Sequence, residues 1–66
     1  MPTELETQFS ELLGQRVSIR LNDPDGGFRD ILGHLVTPYS LRNKRGELVE
    51  FSHSEIFVWR QVIEKQ

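Results

Sequence analysis

The segment from Arg16 to Thr37, RVSIRLNDPDGGFRDILGHLVT, constrains the chain more than any other, because it reads as two long strands joined by a turn. Val17, Ile19 and Leu21 alternate with Arg16, Ser18 and Arg20, the two-residue period of a strand that turns one face inward. Asn22-Asp23-Pro24-Asp25-Gly26-Gly27 is made of residues that reverse a chain, and Phe28 to Thr37 resumes with branched and aromatic side chains around a single glycine, Gly33. A glycine inside a strand marks a bulge or a sharp bend, so the second strand is expected to curve strongly. Two strands alone enclose no core, and the remaining segments must supply their partners.

How much core is available follows from size. A chain of 66 residues lies near the lower limit for folding without staples. It has no cysteine, which removes disulfides and thiolate metal sites alike. Apolar packing, or a partner, must hold it together. The formal net charge of −2 gives no general attraction to a polyanion. Acidic residues gather at Glu4, Glu6 and Glu11 and again at Asp23, Asp25 and Asp30, whereas Arg42, Lys44 and Arg45 make a local basic turn. No signal peptide or membrane span is visible, the uninterrupted apolar runs being only a few residues long, so a cytoplasmic protein with no membrane association is expected.

Thr3 to Leu13 carries a helical signature. Leu5, Phe9, Leu12 and Leu13 fall on one stripe, with Glu4, Glu6, Gln8 and Glu11 turned away. Thr3 and Glu6 have the spacing of a capping box, and Gly14 stands where a left-handed stop residue belongs. So short a helix must dock on something, and the open end of a barrel is the expected place. Past the long strands, Thr37-Pro38 interrupts pairing. A third strand is expected from Tyr39 to Asn43, a tight loop at Lys44-Arg45-Gly46, and a fourth strand from Glu47 to Ser52 that turns Val49 and Phe51 to one side. His53 to Ile56 reads as one 3₁₀ turn and Phe57 to Ile63 as the closing strand.

This order predicts a mainly β, single-domain protein over residues 1–66: an N-terminal amphipathic helix over about 3–13 and a small five-stranded SH3-like barrel over about 15–63. The Sm-like barrel, which also carries an N-terminal helix and five bent strands, is the alternative. The single helical turn just before the closing strand favours the SH3-like order.

The runs LLGQRVSIRL, DGGFRDILGHLV and RNKRGELVEFSHSEIFVWRQV resemble the small SH3-like domain at the N-terminus of certain actinobacterial acetyltransferases of the GNAT family. The matching positions are Gly14, Arg16, Val17, Ile19 and Arg20, then Gly27, Asp30, Ile31, Leu32, Gly33 and Leu35, then Arg45, Gly46, Val49, Ile56, Val58 and Val62. The acetyltransferase region that follows in that family is absent here, so its catalysis and its acetyl-coenzyme A site carry over to no residue of this sequence. Trp59 and Arg60 replace the small or basic residue usual near the end of the closing strand. The resemblance implies a non-catalytic accessory domain, standing alone or excised from a longer acetyltransferase.

No cluster of residues demands a particular chemistry. His34 and His53 have no second histidine or cysteine at ligand spacing, and no metal or cofactor is expected. Ser52-His53-Ser54-Glu55 places serine, histidine and carboxylate side by side, but a triad needs convergence in space rather than adjacency in sequence; Ser52 or Ser54 capping the turn is the simpler account. Asp23, Asp25 and Asp30 lack the spacing of a calcium loop and read as turn chemistry, with Asp30 bonding amides of its own loop. Gly26-Gly27 lacks the lysine of a phosphate loop.

The candidate binding residues are therefore Tyr39, Phe57 and Trp59 among the aromatics and Arg42, Lys44 and Arg45 among the cations. Strand alternation places Phe57 and Trp59 on one face and Val58 with Val62 on the other. Either Val58 and Val62 fill the core and the aromatic pair forms an exposed patch, or the N-terminal helix covers the pair. The leading expectation is a non-enzymatic domain acting through protein contacts, with a protein partner or a second copy of itself. The second reading is single-stranded RNA held by Tyr39, Trp59 and the basic hairpin.

Overall fold

The computed structural model describes residues 3–63, which form one α-helix and five strands in a single antiparallel sheet. The helix α1 spans Glu4–Glu11, and the strands are β1 (Arg16–Asn22), β2 (Phe28–Thr37), β3 (Ser40–Arg42), β4 (Leu48–Glu50) and β5 (Ile56–Gln61). A 3₁₀ turn, His53–Glu55, precedes β5. The sheet order is β4-β3-β2-β1-β5, so the chain meanders through its first four strands and the last one returns to the far side of the first. Among the described residues no helix is long and apolar enough to cross a membrane.

The helix starts at its cap. Thr3 is extended (φ −74°, ψ 163°), and its Oγ1 accepts the Glu6 amide at 3.1 Å. That amide is one of the donors a helix start leaves without an intrahelical acceptor. Only half of the expected capping box forms, because the Glu6 carboxylate accepts from the Tyr39 hydroxyl instead. Helical geometry ends at Glu11, short of the apolar stripe, with Leu12 as the C-cap. Gly14, at φ 84°, then reverses the chain. Its amide donates to the Leu35 carbonyl at 2.8 Å, and the Leu35 amide donates to Gln15 at 3.0 Å, clamping the helix exit to β2.

The two long strands pair without interruption from Arg16↔His34 to Asn22↔Phe28. Val17, Ile19 and Leu21 all point inward, where they meet Phe9 of α1, Leu35 of β2, Leu41 of β3 and Phe51. Burying each of these large side chains stabilises the fold by about 1.5–3 kcal/mol relative to leaving it in water. Phe9 is the centre of this cluster: its ring lies edge-on to Phe51 (5.8 Å between centroids), His53 (5.3 Å) and Trp59 (4.8 Å).

Gly33 does not bulge its strand, contrary to one expected role. The β1–β2 register runs straight through Val17↔Gly33. What the missing side chain permits is close approach of the neighbouring strand, since a Cβ at Gly33 would lie 2.3 Å from the Arg42 carbonyl oxygen. The register shifts lie elsewhere: between Leu35 and Thr37 where β2 meets β3, and between Arg20 and Leu21 where β1 meets β5. β3 and β4 are shorter than the sequence pattern, because Asn43 takes over the turn. Its Oδ1 accepts the amides of Arg45 (2.9 Å) and Glu47 (3.0 Å), a side chain standing in for strand pairing.

Candidate interaction surfaces

β5 decides what the domain shows to its surroundings. Cross-strand partners share a face, and β5 pairs with β1 as Ile19↔Trp59, Arg20↔Val58 and Leu21↔Ile56. Trp59 and Ile56 therefore turn inward with Ile19 and Leu21, while Val58 turns outward with Arg20. Phe57 is the extra residue in the shifted register, and it also points outward. The bulge thus divides the aromatic pair that simple alternation puts together. Trp59 is half-buried against Phe9 of the helix, whereas Phe57 is 60 % exposed. Val58 likewise stays outside the core, at 51 % exposed.

Phe57 is not alone on the outer face. Its ring rests 4.9 Å from that of Phe28, itself 56 % exposed, at the start of β2. The Arg20 guanidinium carbon sits 5.8 Å from the Phe28 ring centroid, within range of a cation–π contact. Arg20 is held there by a two-pronged bond to Asp30, Nε to Oδ1 at 2.8 Å and Nη2 to Oδ2 at 3.2 Å. Asp30 therefore serves a cross-strand ion pair and not the amides of its own loop. The hydrogen bonds from Arg20 lower the Asp30 pKa below the usual carboxylate value. Phe28, Phe57 and Val58 form an apolar patch with a fixed cation at its margin. Phe28 and Arg20 escaped the sequence reading because their meeting with Phe57 depends on the register of three strands.

Tyr39, at the β2–β3 corner, is differently employed. Its ring stacks on His53 (4.6 Å, 24° between planes) and its hydroxyl donates to the Glu6 carboxylate. His53 Nε2 in turn donates to the Pro38 carbonyl at 2.6 Å, which assigns the ring proton to that nitrogen. The three residues join helix, corner and 3₁₀ turn. The bond to Glu6 raises the Tyr39 pKa above 10.0. A group whose folded pKa is raised contributes stability below its unfolded pKa and loses that contribution as pH climbs through the folded value. Because the chain has one tyrosine, absorbance at the phenolate band is expected to titrate above pH 10.0. Glu6→Gln is expected to move that midpoint down, and an unchanged midpoint would remove the Glu6 contact.

The three basic residues of the β3–β4 turn also separate. Arg42 Nη1 donates to the Gly46 carbonyl at 2.8 Å and closes the turn. Lys44 and Arg45 instead line a groove of about 510 Å³ between the turn and β2. Neither Tyr39 nor Trp59 lines it, so the basic tip and these aromatics do not share one surface.

The remaining sequence candidates resolve into local structure. Asp23 Oδ1 accepts the Asp25 amide at 3.0 Å, the turn bond expected of that residue. Ser52 precedes the 3₁₀ turn without a side-chain cap bond; its hydroxyl pairs with that of Ser54 at 2.9 Å. Among the described residues no group of three or more histidine and carboxylate side chains is placed to hold a metal ion. No protein-family model, curated protein or solved structure matches the chain.

Proposed function

We propose that this chain is a non-catalytic accessory module with a closed, SH3-like barrel, that it acts through protein contacts, and that the partner it serves is a GNAT-family acetyltransferase. The observation that carries the protein-contact reading is the outward triad Phe28, Phe57 and Val58, three large apolar side chains each more than half exposed. A small domain without disulfides gains nothing in its own core from aromatic rings in water, and clustered exposed apolar side chains mark contact surfaces. Arg20, fixed by Asp30 beside the patch, supplies the polar margin that orients such contacts. The acetyltransferase as partner rests on the sequence resemblance.

Titration calorimetry of the chain against the GNAT-family acetyltransferases of its own organism tests both parts. Binding is expected. Phe57→Ser, which leaves the core untouched, is expected to weaken it by about 2 kcal/mol, or about thirty-fold. Absence of binding to any of them sinks the acetyltransferase association. Equal affinity of the wild-type chain and Phe57→Ser removes the patch.

A further inference from the structure

Over Phe28–Gly33 the long strand β2 is paired on one side only. β1 covers Phe28 to His34, but β3 meets β2 only from His34 to Thr37. Among the described strands none pairs with the other edge of Phe28–Gly33. That edge forms one wall of the groove of about 510 Å³, and the β3–β4 turn forms the other. Open strand edges offer backbone donors and acceptors to any extended chain that reaches them.

Two features of the groove define what fits. Ile31 and Val49, both half-buried, form an apolar floor. Arg16, Lys44 and Arg45 stand around it, and none of them makes an ion pair among the described residues. The one carboxylate in the lining, Asp30, is already neutralised by Arg20. The groove is thus cationic in a chain of net charge −2. A second copy entering by the same edge would bring Arg16, Lys44 and Arg45 against Arg16, Lys44 and Arg45, which like-charge repulsion opposes. An acidic segment meets no such barrier.

We infer that the Phe28–Gly33 edge of β2 is a strand-addition site for an acidic, extended peptide of a partner protein, whose alternate side chains are aliphatic and carboxylate. Side chains of an added strand alternate between two faces. One set settles on Ile31 and Val49, and the other meets Arg16, Lys44 and Arg45. The site is separate from the Phe57 patch and does not depend on it.

An acetylated, amidated octapeptide alternating valine and glutamate is the probe, titrated into the isotopically labelled chain at low salt. Within Phe28–Gly33, the alternate amides that point away from β1 are expected to gain protection from hydrogen exchange. A Lys44→Glu, Arg45→Glu double variant, confirmed as folded by circular dichroism, is expected to bind about ten-fold more weakly or worse. Lysine in place of the peptide's glutamates should abolish binding, and so should N-methylation of its alternate backbone amides, which removes the strand's donors. Phe57→Ser should bind the peptide normally, so failure of the patch and failure of the groove are distinguishable. The inference is overturned if the Phe28–Gly33 amides gain no protection or if the N-methylated peptide binds equally well. It is overturned too if a short oligouridylate binds through Lys44 and Arg45 while the peptide does not.

Discussion

Gly33→Ala is expected to lower the melting temperature by about 12 °C or more, from a loss of about 3 kcal/mol or more. The added Cβ would meet two backbone atoms, the Arg42 carbonyl oxygen at 2.3 Å and its carbon at 2.8 Å, as well as Leu41 Cδ1 at 2.9 Å. A flexible side chain could swing aside. A neighbouring strand cannot, without parting the pairs His34↔Arg42 and Leu35↔Leu41 that hold β3 to β2. A domain of this size has about 3–10 kcal/mol of total stability, so this one methyl group consumes much of it. The contrast is Gly46→Ala, where nothing lies within 4 Å and the cost arises only from a φ of 82°. That variant should lose about 1–2 kcal/mol. Thermal unfolding of both, followed by the fluorescence of Trp59, ranks them; a Gly33→Ala melt within a few degrees of wild type would show that β3 does not pass so close.

Phe9→Ala is expected to cost about 3–5 kcal/mol and to leave the chain largely unfolded at room temperature. Phe9 is 0 % exposed and its ring contacts those of Phe51, His53 and Trp59. No other side chain of α1 is fully buried, so the truncation empties the helix's share of the core and frees the helix from the sheet. Phe9→Leu, which keeps most of the volume, should cost about 1.5 kcal/mol or less. Urea unfolding midpoints separate the two, and a red shift of Trp59 emission in the alanine variant under native conditions reports the loss of its cover. Equal midpoints for Phe9→Ala and wild type would place the helix off the core.

What the sequence made legible was local. The cap at Thr3, the burial of Phe9 and the alternation of Val17, Ile19 and Leu21 each depend on residues a few positions apart, and each is where the pattern put it, whereas the C-terminal end of the helical stripe is not, since Leu12 caps the helix and Leu13 is left exposed. So are the bounds of β2 and the 3₁₀ turn before β5. Illegible were features set by pairing between distant strands. Phe57 lies beside Phe28 and apart from the face of Trp59 because β5 gains a residue against β1, and no pattern within Phe57–Ile63 announces that shift. Arg20 finds Asp30 ten positions on, and Tyr39 finds Glu6 thirty-three positions back. Of the candidate site residues, Phe57, Lys44 and Arg45 face solvent or a groove, while Trp59, Tyr39 and Arg42 are engaged within the fold.

The position of β1 between β2 and β5 also governs how the domain is made. A ribosome releases β1 before every other strand, yet one of its edges stays open until β5, the last of the described strands, has emerged. Hairpins β1–β2 and β3–β4 can form early from neighbours in the chain, but the step that seals Trp59 over Ile19 spans some forty residues. Such long-range closure is slow compared with hairpin formation. One edge of an aliphatic strand therefore stays unpaired until β5 is available, and an edge left open in this way invites pairing with other chains in that interval.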